Sequence, residues 1–252
     1  MLRSLYSGIS GLRNHQTRMD VVGNNIANVN TTGYKSGRVN FQDSLSQYYS
    51  NNAAIGQNQV GTGMKVASIN NNFIQGPLQN TGRTLDLSIQ GDGFFTLQDA
   101  NGNLSYTREG IFFVNASGEL VNSDGYLVVD DGGSPITLTP PINQLSINEL
   151  GEIFENGSTT ATAQIGITTF ANREGLAKAG NNRYLETMAS GTPTLGAPNS
   201  DNVVISGYLE MSNVDLSQEM VDMMVTQRGF QANSRVITVS DSLLEELVNL
   251  KR

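Results

Sequence analysis

Apolar residues near the start of the chain recur every seven positions: Leu5, Leu12, Met19 and Ile26. A companion column, Leu2, Ile9, Gln16 and Gly23, begins apolar and turns polar or small. The pattern predicts a helix over about residues 2–29 with a coiled-coil-like stripe that weakens toward its C-terminal end. The other end of the chain carries the same period. Met223, Phe230, Ile237 and Leu244 fall seven apart, and "NVDLSQEM" offers Asp215 as an N-cap, so a second helix is predicted over about 216–250. Gln227, Asn233, Ser234 and Ser240 make this seam part polar. A heptad period asks for a helical partner. The two terminal helices are therefore expected to pair as a coiled coil, with helices of further copies packing against the small and polar seam positions.

Between these ends the period changes. In "TLDLSIQGDGFFTLQD" Leu85, Leu87 and Ile89 alternate, and Asp92-Gly93 reads as the turn of a hairpin into Phe95 and Leu97. "DANGN", "NASGE", "NSDGY", "VDDGG" and "NELGE" repeat the punctuation with short β-rich runs between them. The middle is thus expected to be an antiparallel sandwich or barrel-like all-β domain over about residues 75–208, closed by the strand "VVISGYL" and holding one short helix in "ANREGLAKAGN". Residues 31–74 fit neither period and are expected to form an extended connector. The fold class is α+β, with a discontinuous helical domain at 1–30 and 215–252.

Charge sharpens the pairing of the ends. The net charge is −8, yet residues 1–38 carry Arg3, Arg13, Arg18, Lys35 and Arg38 against Asp20 alone, while residues 210–252 carry seven acids and four bases. Opposite signs guide register and contribute little affinity, since exposed pairs are each worth less than ~1 kcal/mol. The acidic balance argues against nucleic acid as a partner. The absence of cysteine excludes disulfides, thiolate metal sites and a cysteine nucleophile. No run approaches the length of a membrane span, so no direct membrane insertion is expected, and the N-terminus lacks the apolar region and cleavage site of a secretory signal.

Candidate chemistry is sparse, and neither an enzyme nor a cofactor site is expected. His15 is alone in its helix. Asp99, Asn101 and Asn103 begin like a calcium loop, but Leu104 stands where glycine is required and Gly110 where the bidentate glutamate belongs. The carboxylate clusters Asp130-Asp131 and Glu149, Glu152, Glu155 lie at expected turns or alternate along a strand. They keep open one alternative, a secreted β-fold protein that binds or hydrolyses carbohydrate.

The densest signal is "NNIANVNTTGYK", residues 24–35, which directly follows the first helix. It offers amides and hydroxyls, with no acid, histidine or cysteine. Asn24, Asn25, Asn28 and Asn30 are suited to satisfying backbone groups left open at a helix end, within the chain or on a neighbouring copy. Gly33 permits a turn, Tyr34 anchors it, and Lys35 is expected to meet an acidic neighbour. Together with Leu5, Leu12, Met19, Ile26, Met223, Phe230, Ile237 and Leu244, these residues form the expected assembly interface.

The run "SLYSGISGLRNHQTRMDVVGNNIANVNTTGYK" resembles the opening segment of bacterial flagellar rod and hook proteins, and residues 210–252 resemble the matching tail. "LDLSIQGDGFF" and "ITTFANREGLAKAGNNRYLET" fit the same family, so the resemblance covers nearly the whole chain. It implies an axial subunit of the hook-basal body that polymerises into a helical tube and transmits torque. It also implies adjoining rod, hook and junction proteins as partners, and export from the cytoplasm through the flagellar type III apparatus without a cleaved signal. Length and middle are similar to the distal rod protein and to short hook proteins. The short stretch after the first helix leans toward hook or a short-form relative.

Overall fold

The computed structural model describes residues 2–52, 56–139 and 144–250. Residues 53–55 of the expected connector, 140–143 of the expected β domain and the extreme ends of the helical domain lie outside the described residues. The chain divides into two units. One comprises residues 1–27, 37–72 and 214–252; the other comprises residues 28–36 and 73–213.

The first unit holds both long helices, α1 (Leu2–Ala27) and α2 (Leu216–Asn249), with strands β1 (Gly37–Asp43), β2 (Ser46–Asn52), β3 (Gly56–Gly61) and β4 (Met64–Asn71). Both helices form where the heptads place them. Asp215 caps α2, its Oδ1 accepting the backbone N–H of Ser217 at 2.9 Å and of Gln218 at 3.3 Å. The segment expected as a connector is paired strand: β1 lies antiparallel to β4, and β2 to β3. It is held to α1 by polar side chains. Asn14 Nδ2 donates to the Met64 carbonyl at 2.6 Å, and Met64 N–H donates to Ser10 Oγ at 3.3 Å.

The second unit is β-rich. Its strands are β5 (Leu78–Asn80), β6 (Leu87–Gln90), β7 (Phe94–Gln98), β8 (Leu104–Thr107), β9 (Phe112–Val114), β10 (Leu120–Asn122) and β11 (Leu127–Val128). There follow β12 (Leu145–Ile147), β13 (Glu152–Glu155), β14 (Ala163–Gln164), β15 (Ile167–Thr169), β16 (Ala177–Gly180), β17 (Arg183–Leu185), β18 (Thr194–Gly196), β19 (Val203–Ser206) and β20 (Tyr208–Glu210). The largest sheet runs β16-β17-β8-β7-β11-β10-β9, with β15 joining at β7 and β18 pairing with β15. β12-β13-β14 make a smaller sheet, while β19 pairs with β6 and β20 with β5. The short helix expected in "ANREGLAKAGN" is one 3-10 turn, Arg173–Gly175.

Local turn chemistry explains three of the hairpins, β9-β10, β10-β11 and β12-β13. In these three turns an asparagine side chain adds to the backbone pairing. Asn115 Oδ1 accepts the N–H groups of Ser117 and Glu119, both at 2.9 Å, and its Nδ2 donates to Glu119 Oε2. Asn148 repeats this geometry on Leu150 and Glu152, and Asn122 does so on Asp124 and Tyr126. Each "Asn-x-x-Gly" therefore nucleates its own turn from within five residues.

One expected hairpin does not form. Asp92-Gly93 joins β6 to β7, but β6 pairs with β19, and β7 pairs with β8, β11 and β15. Asn202 decides this, because its Oδ1 accepts both Asp92 N–H at 2.7 Å and Gly93 N–H at 2.9 Å. With the turn's donors taken by a distant side chain, the chain changes sheet there. β7 is buried on both faces. Phe95 and Leu97 enter the main core with Leu87, Ile89, Phe112 and Val204, while Phe94 enters a second cluster with Phe73, Tyr106, Phe170, Leu176 and Tyr184.

Candidate assembly interface

Within the first unit α1 lies against α2. Leu5, Leu12, Met19, Ile26, Met223, Ile237 and Leu244 are half-buried. Phe230, expected in the same seam, is 37% exposed. The difference has a steric reason. Small residues occupy the closest approach: Gly8 sits beside Ile237, and Gly11 so near Asn233 that a Cβ there would meet its amide at 2.7 Å. On α2 the buried positions are Thr226 and Ser240, whose hydroxyls donate back to the carbonyls of Asp222 and Val236, Ser240 Oγ also lying 3.4 Å from Ser4 Oγ on α1. Sequence reading by apolar columns misses Gly8, Gly11 and Thr226, whereas Ser240 was expected in the polar part of the seam. The signal available for the two glycines was the small-residue spacing Gly8-x-x-Gly11.

Polar contacts fix the register. Arg18 Nη2 donates to Asp222 Oδ1 at 3.1 Å, one realised instance of the charge asymmetry between the ends. Asn25 is buried and fully used. Its Oδ1 accepts Gly37 N–H at 2.9 Å, while its Nδ2 donates to the Gly37 carbonyl at 2.9 Å and to Glu219 Oε1 at 3.0 Å. The amide thus pairs with the first residue of β1 as a backbone group would. Asn24 is exposed.

His15 packs where the helices meet β1. Its ring lies 6.3 Å from that of Phe41, and a Cβ on Gly229 would fall 2.7 Å from it. Nδ1 is buried without a hydrogen bond. Burial, and secondarily Arg18, depress its pKa, so the neutral ring is preferred in the folded state. The unfolded chain then takes up this proton first. Stability of the helix pair is complete above about pH 6.5 and declines as pH falls through that value toward the depressed folded one. Glu219, whose pKa is raised mainly by burial, acts with the opposite sign at lower pH. Helix melting by circular dichroism at about pH 7.5 and pH 5.5 should therefore give a smaller difference for His15→Gln than for the parent chain. An equal difference would remove His15 as its source.

The remaining signature residues belong to the second unit. Asn28 is half-buried and its Oδ1 accepts from Thr31 Oγ1, while Asn30 is exposed. Gly33 adopts φ +67°, and a Cβ on it would lie 2.6 Å from the backbone nitrogen of Glu109, so both the conformation and the space require glycine. Its N–H donates to the Glu210 carbonyl at 2.7 Å. Tyr34 is buried, with Lys178 Nζ 4.9 Å from its ring centroid. Lys35 is wholly buried. Its Nζ contacts Glu210 Oε1 at 2.5 Å and donates to the Ile74 carbonyl at 3.0 Å. The acidic neighbour is therefore in the same chain, 175 residues away. Arg108 joins from β8's end, donating to Glu210 Oε2 at 3.2 Å. Burial depresses the pKa of Lys35, an effect opposed by Glu210 and reinforced by Arg108. Asn25, Gly33, Tyr34 and Lys35 are thus occupied inside the chain, whereas Asn24, Asn30 and Phe230 are exposed.

Three of the carboxylates weighed for hydrolysis serve turns and edges. Asp130 Oδ1 accepts Ser134 N–H, Glu152 accepts from Asn148, and Glu155 accepts Thr139 N–H. Asp99 accepts the N–H of Ala100 within its own turn. Among the described residues no group of three or more His, Cys, Asp or Glu is placed to hold a metal ion, and no helix is long and apolar enough to cross a membrane.

Three family profiles match in chain order. Residues 5–35 match "Flagella basal body rod protein", residues 88–155 "Flagellar hook protein FlgE/F/G D1 domain", and residues 205–250 "Flagellar basal body rod FlgEFG protein C-terminal". The flagellar basal-body rod protein FlgG of Bacillus subtilis (strain 168) is 46% identical over 265 positions, covering both chains in full. The chain belongs to the bacterial flagellar rod and hook protein family. FlgG of Borreliella burgdorferi is 37% identical over 269 positions, again across both full lengths, while the flagellar hook protein FlgE of that organism is 29% identical over an alignment of 442. The first and last profiles bracket the helix-to-signature run and α2, the segments described above. The carbohydrate reading finds no support in this family.

Proposed function

We propose that the chain is a structural subunit of the flagellar basal body that polymerises into the rod, and that it transmits torque rather than catalysing a reaction. The terminal helices pair as a coiled coil, and copies stack by a heterologous contact whose rotation does not close, giving a helical tube. In this division of labour residues 1–30 and 215–252 build the tube, 31–74 serve as a stiffening connector, and 75–208 form a sandwich-like outer β domain. Rod is preferred to hook because the relatives named rod protein match this chain's length at the higher identities. Adjoining rod, hook and junction proteins are the further partners, reached after export by the flagellar type III apparatus.

One observation carries the reading. α2 presents a second apolar stripe, Val236, Val239, Leu243, Leu247 and Leu250, at spacings of three and four, and all five side chains are exposed. An isolated soluble subunit gains nothing from such a row; a tube of packed helices buries it. Placing charge there tests the proposal. For Val239→Asp combined with Leu243→Asp, the concentration needed to form polymers, read by sedimentation and electron microscopy, should rise at least ~100-fold, because two carboxylates would have to be buried. Polymers of normal yield from the double variant would overturn it.

A further inference from the structure

The second unit is entered and left by the chain at residues 28, 36, 73 and 213, and the segments beside three of these boundaries meet at one buried polar node. Glu210 is its centre. Oε1 takes the Lys35 ammonium and also accepts Gly76 N–H at 2.9 Å, and the Glu210 carbonyl accepts Gly33 N–H at 2.7 Å. Asn213 adds a second tie between the same segments, its Oδ1 accepting Ser36 N–H at 2.8 Å and its Nδ2 donating to the Ile74 carbonyl at 3.0 Å. Met211 N–H closes the set by donating to the Pro77 carbonyl at 2.9 Å. Arg108 anchors the carboxylate to the β core, and through its other nitrogen holds the Gly91 carbonyl.

Segments 33–36, 74–77 and 210–213 each have attachments of their own, such as Lys178 Nζ to the Lys35 carbonyl at 3.3 Å, Gln75 Nε2 to the Ile89 carbonyl at 3.2 Å and the pairing of β20 with β5. Glu210 and Asn213 tie all three together, so that releasing one segment removes partners from the other two. We propose that Glu210 and Asn213 form a load-sharing clasp, which makes the three crossing segments open and close as a single cooperative strap. Its consequence, force passing through three strands of chain together instead of one at a time, rests on the mechanical role proposed above. The clasp itself is a property of the single chain and is measured without polymerisation.

Amide hydrogen exchange on the full-length soluble chain reads it directly, with Gly33, Ser36, Gly76 and Met211 as reporters. In the parent chain the four amides should share one slow rate. Asn213→Ala, at a half-buried position outside both apolar cores, should speed all four together by about tenfold or more, although the N–H that its side chain accepts among the four is that of Ser36. β7 and β8 should keep their rates. Lys35→Met, which leaves Glu210 paired with Arg108, should accelerate the same four together. Independent rates in the parent chain, or acceleration confined to Ser36 in Asn213→Ala, would overturn the clasp. So would equal acceleration of β7 and β8. Failure of the charged double variant to lose polymerisation bears on the assembly reading alone, so the two ideas fail separately.

Discussion

Glu210→Ala is expected to lower the stability of the second unit by about 3–5 kcal/mol, and to do so more than the loss of either of its cationic partners. The reasoning is charge bookkeeping in a dry site. Lys35, Arg108 and Glu210 are each at most 1% exposed, and together they place two cations around one carboxylate. Removing the carboxylate leaves both cations buried without it, and strips Gly76 N–H of its acceptor. Removing Lys35 as methionine leaves a neutral Arg108–Glu210 pair and a side chain of similar length. That change should cost only about 1–3 kcal/mol, chiefly for the lost charge-assisted bond to Glu210, since the Ile74 carbonyl keeps the Asn213 amide as a donor. The chain has no tryptophan, so urea unfolding would be followed by β-sheet circular dichroism or tyrosine fluorescence. If Lys35→Met shifts the midpoint as far as Glu210→Ala, the net-charge account of the node is wrong.

Phe94→Ala should cost a similar ~3–5 kcal/mol, by a different mechanism. Phe94 is fully buried, and its ring meets those of Phe73 at 5.6 Å, Phe170 at 5.8 Å and Tyr184 at 5.9 Å, all edge-on. The Arg108 guanidinium also lies 5.2 Å from its centroid. Truncation would leave a cavity ringed by aromatic edges too stiff to collapse into it, and would remove the surface on which Arg108 rests. Phe94→Leu fills most of the volume and should recover roughly half of the loss. Comparable midpoints for the alanine and leucine variants would show that the cavity is relieved by repacking. Glu210→Ala and Phe94→Ala disturb adjoining features through Arg108, so their combination should fall short of additivity.

Features set by short-range chemistry were legible in the sequence. The seven-residue columns located α1 and α2 to within two residues, because amphipathic period is a property of the segment itself. Asp215 was readable as a cap, and "NASGE", "NSDGY" and "NELGE" as turns, since each asparagine or aspartate bonds backbone groups no more than four residues away. The need for a glycine at 33 and for an acidic partner at Lys35 also followed from residue type.

Which partner met which group was decided by tertiary structure. Nothing local distinguishes the Asp92-Gly93 turn from a hairpin; Asn202, about 110 residues later, takes its donors and sends the strands to different sheets. Nor does periodicity reveal that Gly11 and Thr226, rather than Phe230, lie at the helix contact, because close approach depends on where two separate surfaces meet. The amide-rich stretch 24–35 holds both cases. Its composition announced a hydrogen-bonding joint, but only the fold assigned Asn25 to Gly37 and Glu219, and Lys35 to Glu210. A buried polar group must find a partner wherever the chain brings one, and sequence distance places no limit on where that is.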